Sequence, residues 1–191
     1  MNICIYGASS NVIDSSFIKS GEEIGALIAE YGHTVIFGGG ASGMMGAVAR
    51  GADRLNGKII GISPSFFNVD GILYDRCTEM IYTETMSQRK QLLEDKADAF
   101  LVTPGGLGTF DEFFETITLK QLDRHRKPIA IFNINGYFDS LIKMLEVAAE
   151  GKFMTKENMK LFFVSDSPQE ILDYFDGYSQ DSTDIKNLKN I

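Results

Sequence analysis

The stretch "TPGGLGTFDEFFETI", Thr103 to Ile117, holds two kinds of group with opposite preferences for a ligand. Gly105, Gly106 and Gly108 leave backbone N–H groups unobstructed where a helix is about to begin. A helix start carries unpaired N–H groups and the positive end of the helix dipole, so it favours an anion such as phosphate. Asp111, Glu112 and Glu115 follow at once, and carboxylates repel phosphate. Phosphate is the natural ligand for the turn, while three acids at a helix start are favoured by the dipole whatever their function. A purely structural glycine turn is the plain alternative. Glu112 also has two readings. Thr109 and Glu112 have the T-x-x-E spacing of a capping box, in which Glu112 merely satisfies a backbone N–H. Spacing alone leaves open which acid faces a ligand.

A matching cation lies in "ETMSQRK", Glu84 to Lys90. Thr85 and Gln88 suit a second capping box, which puts Arg89 and Lys90 in the first turns of a helix. Cations there oppose the dipole by roughly 0.3–1 kcal/mol each. A broken local rule points to function or to an acidic neighbour, against the alternative of a solvated charged face. A third motif, "GGGASGMMG", has G-x-G-x-x-G spacing at Gly38, Gly40 and Gly43. A dinucleotide site would place this motif after the first strand and an acid at the end of the next one. Here it follows the second strand, and the next strand ends "GISP". The loop is either a tight turn seating a helix on a sheet or the lining of a ligand site. No Walker A sequence is present.

Short apolar runs must position these motifs. Strands are expected at 3–7, 34–39, 58–64, 99–106, 128–134 and 161–166, with a short one at 78–83. Helices are expected at 16–32, capped by Ser15 or Ser16, and at 43–57, 86–98, Thr109 to about Arg126, 137–151 and 168–175. Unbroken apolar strands alternating with helices predict an α/β fold, a Rossmann-like doubly wound parallel sheet in three layers, α/β/α. Ligands of such folds bind beyond the carboxyl ends of the strands. "YGASSN", which contains Ser9, the Gly38 loop and "TPGGLGT" all fall at such ends. One domain is expected over 1–178, with a frayed tail over 179–191.

The 191-residue chain is 44% apolar, which suits a folded domain, and its net charge of −8 argues against a nucleic-acid or anionic-membrane partner. "MNICIYG" reads as a strand, and no apolar run approaches the ~20 residues needed to span a membrane. Cys4, Cys77, His33 and His125 match no metal or redox spacing, so neither metal nor cofactor is expected, and the cytoplasm is the expected compartment. Phe110, Phe113, Phe114 and Ile117 share one helix face and read as core. Leu119 and Leu122 lie off that face, so the helix is apolar on more than one side, as in deep burial or at a subunit contact, and a homodimer contact is the reading preferred.

Together these motifs resemble the Lonely Guy family of cytokinin riboside 5′-monophosphate phosphoribohydrolases, whose members often carry the label "possible lysine decarboxylase". The hallmark P-G-G-x-G-T-x-x-E reads "PGGLGTFDE", Pro104 to Glu112. The Arg-Lys signature reads "MSQRK", with Ser87 where the family usually has His. G-G-G-x-x-G-x-M-G reads "GGGASGMMG". The likeness runs from about residue 2 to 176. It implies a homodimeric hydrolase that cleaves the N-glycosidic bond of a purine nucleoside 5′-monophosphate, of cytokinin type or AMP, to free base and ribose 5-phosphate. It carries the catalytic roles to Arg89 and Glu112 and the phosphate cradle to Gly105, Gly106, Gly108 and Thr109. Ser9, Gly40, Gly43, Met44, Met86, Lys90 and Glu115 complete the expected substrate-binding set. The alternative is a non-catalytic carrier of a phosphorylated ligand, like the molybdenum-cofactor carriers. A pyridoxal decarboxylase would need a Schiff-base lysine with a ring-nitrogen partner, and no lysine here has a recognisable setting of that kind.

Overall fold

The computed structural model of the chain describes residues 1–179. Seven parallel strands form one sheet: β1 (Asn2–Tyr6), β2 (Thr34–Phe37), β3 (Ile59–Pro64), β4 (Glu79–Thr83), β5 (Ala99–Val102), β6 (Ile129–Phe132) and β7 (Phe163–Ser165). Their spatial order is β4-β3-β2-β1-β5-β6-β7. The chain builds outward from β1 to one edge, then crosses back and builds outward from β5 to the other. The point between β1 and β5, where the order reverses, is where such sheets open a crevice. In register, Tyr6 stands beside Val102 there.

Six helices cover the sheet: α1 (Ser15–Glu30), α2 (Gly43–Arg54), α3 (Met86–Lys96), α4 (Leu107–Gln121), α5 (Asp139–Glu150) and α6 (Pro168–Asp176). Alternate strand residues feed two cores. Ile3 and Ile5 pack with Ile24 and Ile28 of α1, Val48 of α2 and Ile171 of α6. Cys4 and Tyr6 pack with Leu93 of α3, Phe113 of α4 and Leu145 of α5. This is the three-layer α/β/α arrangement expected from the alternation of runs. The 180–191 part of the expected tail lies outside the described residues. Among the described residues, no helix is long and apolar enough to cross a membrane.

Several local expectations need correction. Helix α1 is capped by Asp14, whose carboxylate accepts from the Ser16 N–H at 2.8 Å, rather than by either serine. Helix α4 stops at Gln121, not near Arg126, because Asp123 takes a left-handed conformation with φ of 55°. Its buried stripe is also different. Phe113 is fully buried, but its stripe partners are Thr109, Glu112, Thr116 and Lys120, while Phe110, Phe114 and Ile117 are half-buried at the flank. The helix can bury these polar groups because several have partners. Thr116 bonds the Tyr6 hydroxyl at 3.0 Å, and Lys120 donates to the Leu161 carbonyl at 2.9 Å.

Candidate active site

Three chain segments meet at the carboxyl end of the sheet. Residues 7–14 leave β1, residues 38–42 leave β2, and residues 103–106 leave β5. The first and third are tied together by the Ala8 N–H, which donates to the Pro104 carbonyl at 3.0 Å. The expected capping box at the start of α3 is present. Gln88 donates its N–H to the Thr85 hydroxyl at 3.2 Å, and its side-chain oxygen accepts from the Thr85 N–H at 3.3 Å. That cap fixes the first turn of α3 and so aims Arg89.

The capping box that the T-x-x-E spacing would allow at Thr109 does not form. Helix α4 begins two residues earlier, with Gly106 at the cap in an extended conformation and Phe110 donating to its carbonyl at 3.1 Å. No side chain caps this helix, so the first N–H groups of α4 face the crevice without a side-chain acceptor. Thr109 lies inside the first turn, and Glu112 is released from any capping role. Its carboxylate instead accepts from Nη2 of Arg89 at 3.0 Å.

This ion pair is almost enclosed, with 11% of the Arg89 side chain and 10% of the Glu112 side chain exposed. Burial pushes the Glu112 carboxyl up to about 7. Arg89 and Lys90 pull it down, and Asp111 and Glu115 push it up, but burial dominates. Nε of Arg89 is buried with no hydrogen-bond partner. A glycine makes room for the guanidinium: a Cβ on Gly38 would fall 2.2 Å from Nη2 of Arg89. Outside this pair, Lys90 bridges Asp111 at 3.0 Å and Glu115 at 2.6 Å, a half-exposed second tie between α3 and α4.

Two compartments open on either side of the pair. One, of about 330 Å³, is bounded by Ser9 and Ser10, by Gly106, Gly108 and Thr109 at the α4 start, and by Glu112. The other, of about 410 Å³, sets Met45, Phe67, Leu73 and Met86 beside Gly38, Gly40, Asn11, Ser42 and Ser63. Arg89, Ser9 and Met45 line both, so the two are halves of one crevice with Arg89 at its waist.

Of the expected site residues, Ser9, Gly40, Met86, Arg89, Gly106, Gly108, Thr109 and Glu112 line the crevice. Five others do not. Met44 is fully buried in the core, and its neighbour Met45 turns to the crevice instead. Gly43, with φ of 61°, seats α2 against the Ala8 carbonyl, which a Cβ would approach to 2.4 Å. Gly105 is buried and its carbonyl accepts from the Tyr137 hydroxyl at 2.6 Å. Lys90 and Glu115 are spent on each other. Within the glycine-rich loop, Gly38 and Gly40 line the crevice and Gly43 packs the helix. Phe67, Ile72 and Leu73, which follow β3, were not expected at all. The signal was available, since they too leave the carboxyl end of a strand.

The fold and this crevice define a Rossmann-like α/β protein with a buried Arg–Glu pair beside a helix start at the switch point of its sheet. The model of the family described as "possible lysine decarboxylase" matches residues 45–175. A cytokinin riboside 5′-monophosphate phosphoribohydrolase of Mycobacterium tuberculosis is 35% identical over 170 residues, covering 89% of this chain and 90% of that one. Another so named, from Arabidopsis thaliana, is 28% identical over 176 residues, covering 92% and 83%. Among solved structures, the molybdenum cofactor binding protein of Rippkaea orientalis superposes with a TM-score of 0.70 at 21% identity, covering 92% of this chain and 94% of that one. The chain belongs to the Lonely Guy family, which includes these phosphoribohydrolases.

Proposed function

We propose that this protein hydrolyses the N-glycosidic bond of purine nucleoside 5′-monophosphates, either AMP or its N6-substituted cytokinin forms, giving free base and ribose 5-phosphate. The observation that carries this reading is the buried Arg89–Glu112 pair at the waist of the crevice. It stands between a compartment built at a helix start and one that Phe67, Leu73, Met45 and Met86 help to wall. In this reading the 5′-phosphate takes the α4 start, the base takes the larger compartment, and the glycosidic bond lies at the pair.

Glycoside cleavage passes through an oxocarbenium-like sugar. As the bond between C1′ and the purine nitrogen breaks, its electron pair leaves with the base and positive charge grows on the ribose. The Glu112 carboxylate stabilises that charge and takes a proton from the attacking water. Water thereby supplies the hydroxyl on C1′ and, through Glu112, the proton that the base finally carries. Arg89 offsets the negative charge of the departing base. A pure carrier of an anionic ligand would gain nothing from a buried carboxylate at this place, which disfavours the carrier reading.

The test is to incubate the protein with AMP and with N6-prenylated AMP and to assay free base by chromatography. Release from either supports the reading, and none from either by folded protein overturns it. The pH dependence has a defined sign. Only the ionised Glu112 serves, so kcat/KM should rise as pH increases through about 7. The same group affects stability in the opposite direction. Its folded value is raised above the ordinary 4.5, so its stabilising contribution is full below that value and is lost as pH rises through about 7.

The same reading includes a homodimer in the cytoplasm. Phe114, Ile117, Leu145 and Phe153 line an apolar groove of about 220 Å³ between α4 and α5, and Phe153 is 90% exposed. Leu122, Met144 and Val147 are exposed apolar residues of the same two helices and their ends. A second copy of the chain would cover them. Light scattering should give a dimer mass for the wild type and a monomer mass for Phe153→Asp; a monomeric wild type would refute the assembly. Free Cys4 and Cys77 are consistent with the reducing cell interior.

A further inference from the structure

Phe67 closes the short 3-10 turn Ser65–Phe67 that follows β3. Its ring is in tilted contact with that of Phe66, at 4.7 Å between centroids, yet it remains 40% exposed. It lines the larger compartment, and among the described residues it is the one aromatic side chain that does so.

The segment bearing Phe67 is held beside the glycine loop. Ala41 donates its N–H to the Ile72 carbonyl at 2.9 Å, and Tyr74 donates its N–H to the Gly39 carbonyl at 2.8 Å. The Tyr74 hydroxyl anchors this bridge by donating to Asp53 at 3.0 Å. Gly38 and Gly40, which carry no side chains, bound the same compartment. The result is a space with an aromatic ring on one wall and bare backbone on another. Such a space suits a flat ring system.

We propose that Phe67 determines base specificity by stacking on the nucleobase, favouring the two-ring purines over pyrimidines. This rests on the hydrolase reading above for the identity of the ligand. Base–aromatic stacking contributes about 1–3 kcal/mol per base, or roughly 5- to 150-fold in affinity. A contact made equally in ground and transition states changes KM rather than kcat.

The experiment compares kcat and KM for AMP and CMP in the wild type, Phe67→Ala and Phe67→Tyr. Phe67→Ala should raise KM for AMP by roughly 5- to 150-fold with kcat nearly unchanged, and should narrow the preference for AMP over CMP. Phe67→Tyr should restore both. An unchanged KM for AMP in Phe67→Ala, or a loss confined to kcat, overturns the inference. If the wild type cleaves no nucleotide, the hydrolase reading fails separately, and calorimetric AMP binding by the wild type and Phe67→Ala then decides the role of Phe67. Phe67 is partly exposed outside both cores, so the variants should fold, and circular dichroism checks this.

Discussion

Replacing Glu112 with Gln should lower base release from AMP by roughly 10²- to 10⁴-fold while leaving the fold and nucleotide binding nearly intact. The amide keeps the shape of the carboxyl and can still accept from Arg89, so the buried guanidinium is not left without a partner. What is lost is the negative charge beside the ribose and the acceptor for the proton of water. Two measurements separate this role from a structural one. Calorimetric affinity for AMP should change little, because the charge acts in the transition state rather than the ground state. The fall in melting temperature between about pH 4.5 and 7 that Glu112 contributes should flatten, because the titrating group is gone. Turnover within tenfold of wild type would reduce Glu112 to a packing residue.

Gly38→Ala should have an effect of similar size through a residue that supplies no functional group. The new methyl would fall 2.2 Å from Nη2 of Arg89 and 2.9 Å from its Cζ. The obstacle is the end of a long side chain, so the guanidinium moves and the fold survives. Moving it breaks the 3.0 Å bond to Glu112. Glu112 then sits buried without its main counter-charge, its carboxyl rises above about 7, and the ionised fraction at neutral pH falls. We expect kcat/KM at pH 7 to drop by at least about 10²-fold, the scale associated with misplaced catalytic groups. Part of the loss should be recovered at higher pH. A variant with wild-type activity and an unmoved pH profile would show that Arg89 does not depend on the space at residue 38.

The sequence made the frame legible because the strands are unbroken apolar runs with glycine at their ends. The seven strands and six helices stand close to where periodicity puts them. What spacing left open was decided by tertiary contacts. T-x-x-E at Thr109 is compatible with a capping box, but Gly106 takes the cap three residues earlier and Arg89 claims the acid instead. Met44 and Met45 cannot be told apart by composition, and a helix rotation of one residue decides which is core. Lys90 at a helix start points to function or to an acidic neighbour, and Asp111 and Glu115 are such neighbours. Phe67 escaped because the stretch after "GISP" has no periodicity, although its place after a strand end marked it in the same way as the other three loops.

The order of the strands has a consequence for how this protein can change. The wall of the larger compartment comes largely from the first four strands and their loops, through Gly38, Gly40, Phe67 and Leu73, whereas Arg89, the α4 start and Glu112 come from the later part of the chain. In the proposed reading, the residues that choose the base and those that break the bond come mainly from different lengths of the chain, although the loop after β1 and Met45 border the cleavage half as well. On that reading, substitutions in the loop after β3 change the preferred base while Arg89 and Glu112 keep the cleavage geometry.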